Sequence, residues 1–299
     1  MLWALASMGE KADRKLLEAM KSQATVTAGE FKPHEVANLL WALATMGEKA
    51  DPKLLEAMQS QATVTAGDFT PRAVADVLWA LATMGEKADP KLLEAMQSQA
   101  TVKAGDFTPQ AVADLLWALA TMGANADPKL LEAMQSQSTA TVGEFMPQDV
   151  AGLLWALATM GEKADRKLIQ ALKKRAKVTA GDFKPQAVAN LLWALATMGE
   201  ALNRKILEVM LSQATVTAGE FKPKDVANLL WALATMGEKA DLKLLEGMQR
   251  QATVTAGDFT PQAVANLLWA LATMGEKADQ KLLEAMQRSE EHTSELQSR

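Results

Sequence analysis

The sequence predicts an all-α fold, an α-solenoid of the armadillo or HEAT-like superhelical kind, built from two-helix repeats of 38 residues. The first observation is that the rare residues share one period: the seven phenylalanines from Phe31 to Phe259 are 38 apart, and so are all eight tryptophans, Trp3, Trp41, Trp79, Trp117, Trp155, Trp193, Trp231 and Trp269. The second is that each repeat holds two segments of helical periodicity, and no stretch alternates polar and apolar residues over the length of a strand. A fixed period of this size indicates a solenoid.

The first helix of each repeat is predicted from its start and stop signals. It begins where Thr70 precedes Pro71, because a threonine caps a helix and proline is tolerated at the first helical position. It ends at a glycine such as Gly85, which can adopt the left-handed conformation that closes a helix. Apolar residues cover so much of the helical wheel that we expect this helix to be largely buried, as in Val36, Ala37, Leu39, Leu40, Leu43, Ala44 and Met46.

The second helix begins with the cap and first-turn proline of Asp51 and Pro52 and runs toward Gly67. Residues 63–65 are β-branched and form helices poorly, so the helix either ends there or continues to the glycine. One side of this helix is polar and is expected to face water, whereas stacking of neighbouring repeats buries the apolar remainder.

Residues 1–288 are predicted to form a single α-solenoid of about seven and a half repeats, truncated at both ends, since Met1 enters in the middle of a first helix. After Arg288 the sequence leaves the repeat. The segment 289–299 reads SEEHTSELQSR, and together with Arg288 its first ten residues, RSEEHTSELQS, are the translation of a DNA string that resembles a sequencing-library adapter. We expect this tail to be non-native and disordered, and we exclude it from the fold.

Composition disfavours catalysis. The chain has no Cys and only two His, and one of them, His292, lies in the tail. Nearly every carboxylate, lysine and hydroxyl occurs in several equivalent copies, whereas an active site needs a unique constellation. We therefore expect no enzymatic activity, no cofactor and no metal. No apolar run reaches the roughly 18 residues of a membrane span.

The formal net charge is −5, and it becomes −3 without the tail, which does not indicate a strongly basic nucleic-acid binder. The window from Glu162 to Lys184 nevertheless has eight basic and three acidic residues. Four lysines on the polar face of its second helix are candidates for contacts with RNA phosphates: Lys167, Lys173, Lys174 and Lys177. The alternative is that they form only a solvated helix face.

The tryptophans allow two interpretations. Their rings lie on the less apolar side of the first helix, where they could form a ladder on which bases stack. The interpretation that we favour places each ring between successive repeats as part of the core, because an indole exposed in every repeat would promote aggregation.

Two positions beside the tryptophan vary while the core hardly changes, and both hold hydrogen-bonding side chains one helical turn apart. Repeat proteins that read single-stranded RNA use such positions to contact one base per repeat, and the alternative is neutral drift at exposed sites. One position holds His34, Arg72, Gln110, Gln148, Gln186, Lys224 and Gln262. The other holds Asn38, Asp76, Asp114, Gly152, Asn190, Asn228 and Asn266, of which all but the glycine are candidate base-facing residues.

The recurrent motif FxPQxVANLLWALATMG, followed by LLEAM, resembles the armadillo-like helical repeats of organellar RNA-metabolism proteins over residues 1–288. These comprise RAP-domain and octotricopeptide-repeat proteins and a related subunit of the RNA-editing substrate-binding complex. The resemblance implies binding of single-stranded RNA in organellar RNA processing, editing or translation, in a mitochondrion or plastid. The alternative that it implies is a protein-binding scaffold within an RNA-processing complex.

Overall fold

A computed structural model describes residues 2–297, with side chains as far as Arg288. All regular structure in this part of the chain is helical, and first and second helices alternate. The first helices are α1 (Leu2–Ser7), α3 (Pro33–Thr45), α5 (Pro71–Met84), α7 (Pro109–Met122), α9 (Pro147–Met160), α11 (Pro185–Thr197), α13 (Pro223–Met236) and α15 (Pro261–Met274). The second helices are α2 (Arg14–Val26), α4 (Pro52–Val64), α6 (Pro90–Val102), α8 (Pro128–Ala140), α10 (Arg166–Val178), α12 (Arg204–Val216), α14 (Leu242–Val254) and α16 (Gln280–Gln297).

The described residues form two compact units. Unit 1 comprises residues 2–145 and 164–168, and unit 2 comprises residues 146–163 and 169–297. Within each unit the first helices pack side by side in one layer and the second helices form another, so the expected helical-repeat solenoid is confirmed. That residues 1–288 form one continuous domain stays a prediction.

The predicted start and stop of the first helix are confirmed in α5. The Thr70 hydroxyl accepts a hydrogen bond from the Ala73 backbone N–H at 3.3 Å, and Pro71 is the first helical residue. At the other end Gly85 has a φ of 76°, a left-handed conformation that a residue with a Cβ adopts only with strain. The chain therefore turns sharply toward the second helix.

The second helix ends at the first of its two predicted limits. In α4 the Asp51 carboxylate accepts hydrogen bonds from the backbone N–H groups of Lys53 and Leu54, at 3.1 and 3.0 Å. The helix ends at Val64, and a short 3-10 turn, Ala66–Asp68, follows before the next repeat. An equivalent turn follows each second helix from α2 to α14.

The core lies between the two layers and between neighbouring first helices. In α5 and α7 nearly every leucine, valine and alanine is buried, as predicted, and Phe69 and Phe107 in the connecting segments are 0% and 1% exposed. The first helices contact one another much more extensively than the second helices do. Burial of apolar surface between repeats is therefore concentrated in the first-helix layer.

Glutamine side chains join neighbouring repeats through backbone groups. One glutamine in the second helix points forward: its Oε1 accepts from the backbone N–H of the residue that caps the next second helix, in the pairs Gln59 with Asp89, Gln97 with Asp127, Gln135 with Asp165 and Gln249 with Asp279, at 2.6 to 2.7 Å. A second glutamine points backward and donates to the carbonyl of the preceding phenylalanine, in the pairs Gln61 with Phe31, Gln99 with Phe69, Gln137 with Phe107 and Gln251 with Phe221, at 2.7 to 2.9 Å. We call these hydrogen bonds the glutamine joints. They fix the positions of the second helices, which have only limited apolar contact with one another.

The predicted tail differs from the structure in one respect. The backbone of residues 289–297 continues helix α16, whereas disorder was predicted. A segment that departs from the repeat sequence does not have to lose its structure. Residues such as Glu290, Glu291 and Leu296 are good helix formers and can extend an existing helix. The side chains from residue 289 onward lie outside the described part of the chain, and that this segment is non-native stays a prediction.

Replacing Gln97 with alanine is expected to lower the free energy of unfolding by about 1 to 2 kcal/mol. Gln97 is buried, and its side chain both accepts from the Asp127 N–H and donates to the Asn125 carbonyl at 3.3 Å. Urea denaturation followed by circular dichroism measures the change. Ser98→Ala, on the exposed side of the same helix, is the control. Equal stability of the two variants would show that the glutamine joint contributes nothing to the free energy of unfolding.

Candidate nucleic-acid interface

Each complete first helix leaves one narrow side open to solvent. In α3 this side comprises His34, Asn38, Trp41 and Thr45, and we call it and its equivalents the first-helix stripe. The sequence predicted that these positions share a face, and the pattern of exposure confirms it. Because the buried side of the helix faces the second-helix layer, the stripe is on the opposite surface of each unit.

The candidate base-facing residues differ in exposure along the stripe. The outer position is exposed in every repeat: His34, Arg72, Gln110, Gln148, Gln186, Lys224 and Gln262. The inner position is half-buried in Asn38, Asp76, Asp114, Asn190 and Asn266, and Asn228 is buried. The structure therefore brings the outer residues to a surface where a ligand can reach them, and that they contact bases stays a prediction.

The tryptophan rings of the stripe contact one another. In unit 2 the successive rings of Trp155, Trp193, Trp231 and Trp269 have centroids 6.3 Å apart, and the planes of neighbouring rings are tilted by 35° to 38°. In unit 1 those of Trp79 and Trp117 are 6.5 Å apart. Such distances are typical of favourable aromatic pairs. The favoured interpretation is supported in part, since the rings pack between repeats, yet those from Trp41 to Trp231 stay partly exposed. That bases stack on this ladder stays a prediction.

This geometry limits how bases can use the rings. A base sandwiched between two parallel rings needs a centroid separation of about 7 Å or more, because aromatic carbons approach to about 3.5 Å on each side. The observed separations are 6.3 to 6.5 Å and the planes are not parallel. Insertion of bases between these paired rings is therefore excluded in this conformation.

In unit 1 the stripe carries an ion-pair network. The Arg72 Nε atom lies 2.9 Å from an oxygen of Asp76 on the same helix, and an Arg72 terminal nitrogen is 3.8 Å from Asp114 on the next first helix. Burial raises the pKa of Asp76, while the charge of Arg72 and its hydrogen bond oppose that rise. One cation is shared between two carboxylates, so this part of the stripe does not attract a polyanion.

In unit 2 the same positions hold amides and one cation. Gln262 donates a hydrogen bond from Nε2 to Asn266 Oδ1 at 2.8 Å. The Lys224 ammonium lies 5.7 Å from the centroid of the Trp155 ring, two repeats earlier in the chain, which is a cation–π distance. A single lysine thus reaches from α13 across α11 to α9, and the first-helix layer of unit 2 is tightly packed enough to allow it.

The four candidate phosphate-binding lysines lie on α10, in the second-helix layer, and not on the first-helix stripe. Lys167, Lys174 and Lys177 are exposed. Lys173 is not: its side chain is 16% exposed, and its ammonium forms an ion pair of 2.6 Å with Glu200. A strand bound along the stripe cannot contact these lysines at the same time, so the structure separates the two parts of the predicted RNA site.

The role of Lys173 can be found in the sequence once the joints are known. It occupies the position of the forward-pointing glutamines Gln59, Gln97, Gln135 and Gln249. Lys21 occupies the same position in α2 and lies 4.0 Å from Glu48, the residue equivalent to Glu200. In these two repeats a lysine and a glutamate replace the bond from glutamine to the backbone. The charge of Lys173 therefore joins repeats and is not directed toward a ligand.

Two carboxylates near the stripe are buried at the start of first helices. An Asp149 oxygen accepts a hydrogen bond from the Met146 backbone N–H at 2.9 Å, which caps α9. Burial raises the pKa of Asp149, and this hydrogen bond opposes the rise. Burial also raises the pKa of Asp225 in α13, against a hydrogen bond and charge from Lys222. Both groups act on helix ends and do not form a catalytic pair.

Among residues 2–288, whose side chains the structure describes, no group of three or more His, Asp or Glu side chains is arranged to hold a metal ion. Within the same range no helix combines the length and the apolar character that a membrane crossing requires.

Lys173→Ala is expected to destabilise the chain by about 1 kcal/mol, because it removes a partly buried ion pair. Lys173→Gln is expected to keep the stability within about 0.5 kcal/mol, since it places the usual joint residue beside the backbone N–H of Asn203. Thermal unfolding measures both. The control is Lys174→Ala, which removes the same charge from an exposed neighbouring residue. A loss of stability as large as that of Lys173→Ala would contradict the interpretation that Lys173 joins repeats.

Asp149→Asn is expected to stabilise the chain most at neutral pH. The raised pKa means that folded Asp149 holds its proton at pH values where the unfolded chain has released it, so acidification favours the wild-type fold. The asparagine keeps an acceptor for Met146 without the buried charge. Its advantage should shrink as the pH falls toward about 4. Urea denaturation at pH 7 and pH 4 tests this, and Asp182→Asn at an exposed site is the control. An advantage that grows with acidity would refute the interpretation.

Comparison with known proteins adds the family. Residues 2–237 match the family described as RNA-editing substrate-binding complex 6 protein, and residues 253–268 match a family described only as a protein of unknown function, DUF1601. No curated protein matches the chain. The expected RNA-editing relationship is thereby confirmed, while a RAP or octotricopeptide relationship stays a prediction. Since the first match covers well over half of the sequence, the chain belongs to the RNA-editing substrate-binding complex 6 protein family.

Proposed function

We propose that the chain is a non-catalytic component of an RNA-editing substrate-binding complex and that it binds single-stranded RNA along the first-helix stripe of unit 2. Membership of the family supports a role in such a complex. Complexes of this type act in mitochondria, which favours the mitochondrial over the plastid location. The assignment of RNA as the ligand rests on the stripe.

The observation that carries the proposal is the composition of the unit 2 stripe. At the two variable positions of its four repeats, Lys224 is the one charged side chain, and the others are amides apart from Gly152. A phosphate backbone meets no carboxylate there, and the Lys224 ammonium lies beside the tryptophan ladder, where it can pair with a phosphate.

The amides supply the contacts to bases. A carboxamide presents one donor and one acceptor group in a plane, which matches the hydrogen-bonding edges of unstacked bases. Gln148, Gln186 and Gln262 are exposed, one in each of three repeats. Because the copies are nearly identical, the preferred target is of low complexity, with about one base for each repeat.

A protein ligand is the second candidate, and the unit 1 stripe favours it. Asp76 and Asp114 lie on that stripe and share Arg72, so its charge is unfavourable for RNA and suits a neutral or basic peptide. A scaffold within the same complex would use this surface without requiring that unit 2 release its RNA.

Lys224→Gln is expected to weaken binding of short single-stranded RNAs of every sequence alike and to lower the slope of log affinity against log salt by about 0.7 to 1. Fluorescence anisotropy between about 50 and 200 mM salt measures both effects. Lys243→Gln removes the same charge from the exposed second-helix surface of unit 2 and is the matched control. Equal effects of the two variants, or a flat salt dependence of the wild type, would refute RNA binding on this stripe.

A further inference from the structure

The second helices of unit 1 expose an apolar residue at their last position. Val26, Val64 and Val102 are the final residues of α2, α4 and α6 and are 81%, 81% and 78% exposed. A valine in that place adds nothing to the helix, because β-branched residues are poor helix formers, and it packs against little of the fold. A single exposed valine is ordinary, but three at equivalent positions on adjacent helices form a patch. Unit 2 has exposed valines at the same positions, Val178, Val216 and Val254, but the exposed Lys177, Lys184 and Lys222 beside them offset the carboxylates of its turns. The acidic surroundings of the valines are therefore particular to unit 1.

The glutamine joints keep these helix ends side by side. Gln61 near the end of α4 donates to the Phe31 carbonyl at 2.7 Å, and Gln99 near the end of α6 donates to the carbonyls of Gly67 and Phe69 at 2.8 and 2.9 Å. The end of each second helix thus lies against the 3-10 turn of the preceding repeat. The three valines therefore form one row on the surface, which we call the valine row.

An acidic row accompanies it. The 3-10 turns that follow α2, α4 and α6 each end in an exposed carboxylate, and so does the turn that follows α8. These carboxylates are Glu30, Asp68, Asp106 and Glu144. Among the cations nearby, Lys32 is exposed, and the Lys103 ammonium is engaged with the Phe69 carbonyl at 3.2 Å. The cavities that Val64 and Val102 line add Lys87, Lys91 and Lys129, against Glu56, Glu86, Asp89, Glu94 and Asp127. With nine negative and five positive charges in all, the surface beside the valine row is net acidic.

We propose that the valine row of unit 1 is a docking surface for a basic amphipathic helix of a partner protein. An apolar row flanked by carboxylates complements an apolar stripe flanked by lysine or arginine. The negative charge disfavours RNA at this surface. It lies in the second-helix layer, so it is separate from the first-helix stripe and its occupation does not depend on RNA binding.

The spacing of the row defines the partner further. Neighbouring packed helices lie about 8 to 10 Å apart, and seven residues of a helix rise about 10.5 Å. A helix that runs across the ends of α2, α4 and α6 therefore meets the three valines with apolar residues spaced about seven apart, and basic residues on either side of that stripe reach the carboxylates.

The test uses the full chain and a labelled helical peptide of about three heptads, with leucine at every seventh position and lysines beside it. Binding is followed by fluorescence anisotropy. Replacing Val26, Val64 and Val102 together with serine should weaken binding roughly tenfold or more. Asp68→Asn with Asp106→Asn should weaken it severalfold and reduce its salt dependence. Since all five residues are exposed, the fold should persist, as melting by circular dichroism can verify.

Two controls make the outcome decisive. Thr83→Ala with Thr121→Ala alters exposed residues of the first-helix stripe of unit 1, on the opposite surface, and should leave affinity unchanged. A peptide of the same composition with its leucines scrambled should bind at least about tenfold more weakly. The proposal is overturned by absence of peptide binding, by equal binding of the scrambled peptide, or by insensitivity to the triple substitution. It is also overturned if the triple variant abolishes self-association of the chain or if RNA occupies the row.

Discussion

Burial of the first helix on all sides but one is the constraint on which the rest of this molecule depends. Leucine, valine and alanine residues contact the neighbouring first helices and the second-helix layer, and what remains is a stripe about one residue wide. Residues such as Leu78 and Leu116, which are fully buried, cannot change without loss of packing, whereas the outer position of the stripe varies from His34 to Arg72 to Gln110. Differences in side-chain chemistry between repeats on this surface are therefore confined to the outer position of the stripe and its neighbours.

The local structure could be predicted from the sequence because its causes are local. A capping threonine, a first-turn proline and a terminal glycine act within a few residues, and the structure confirms them at Thr70, Pro71 and Gly85. The candidate site was less predictable. The ion pair between Lys173 and Glu200, and the approach of Lys224 to Trp155, depend on the distance between repeats, which no pattern within one repeat contains.

The two units share a repeat but differ in the electrostatics of their exposed stripes. In unit 1 Arg72 is held between Asp76 and Asp114, and the energy of these contacts is modest because they are near solvent. In unit 2 the equivalent positions are largely neutral. The copies thus differ in surface charge while the core changes only by small substitutions, such as Val77 for leucine and Ile169 for leucine. Surface chemistry and stability are largely independent in such an array, since they depend on different sides of the same helix.

The two kinds of joint between second helices impose different rules on the order of repeats. Gln97 binds a backbone N–H, which every following repeat offers whatever its sequence, so a repeat that ends in this joint is compatible with any successor. Lys173 instead requires a carboxylate at the position of Glu200, and a successor carrying alanine there, as the repeat of Ala124 does, would leave the ammonium half-buried without its counter-charge. During duplication or deletion of repeats, the glutamine joints can therefore be recombined freely. A lysine joint is kept only where the following repeat carries the glutamate, as the repeats of Glu48, Glu86, Glu162, Glu200, Glu238 and Glu276 do.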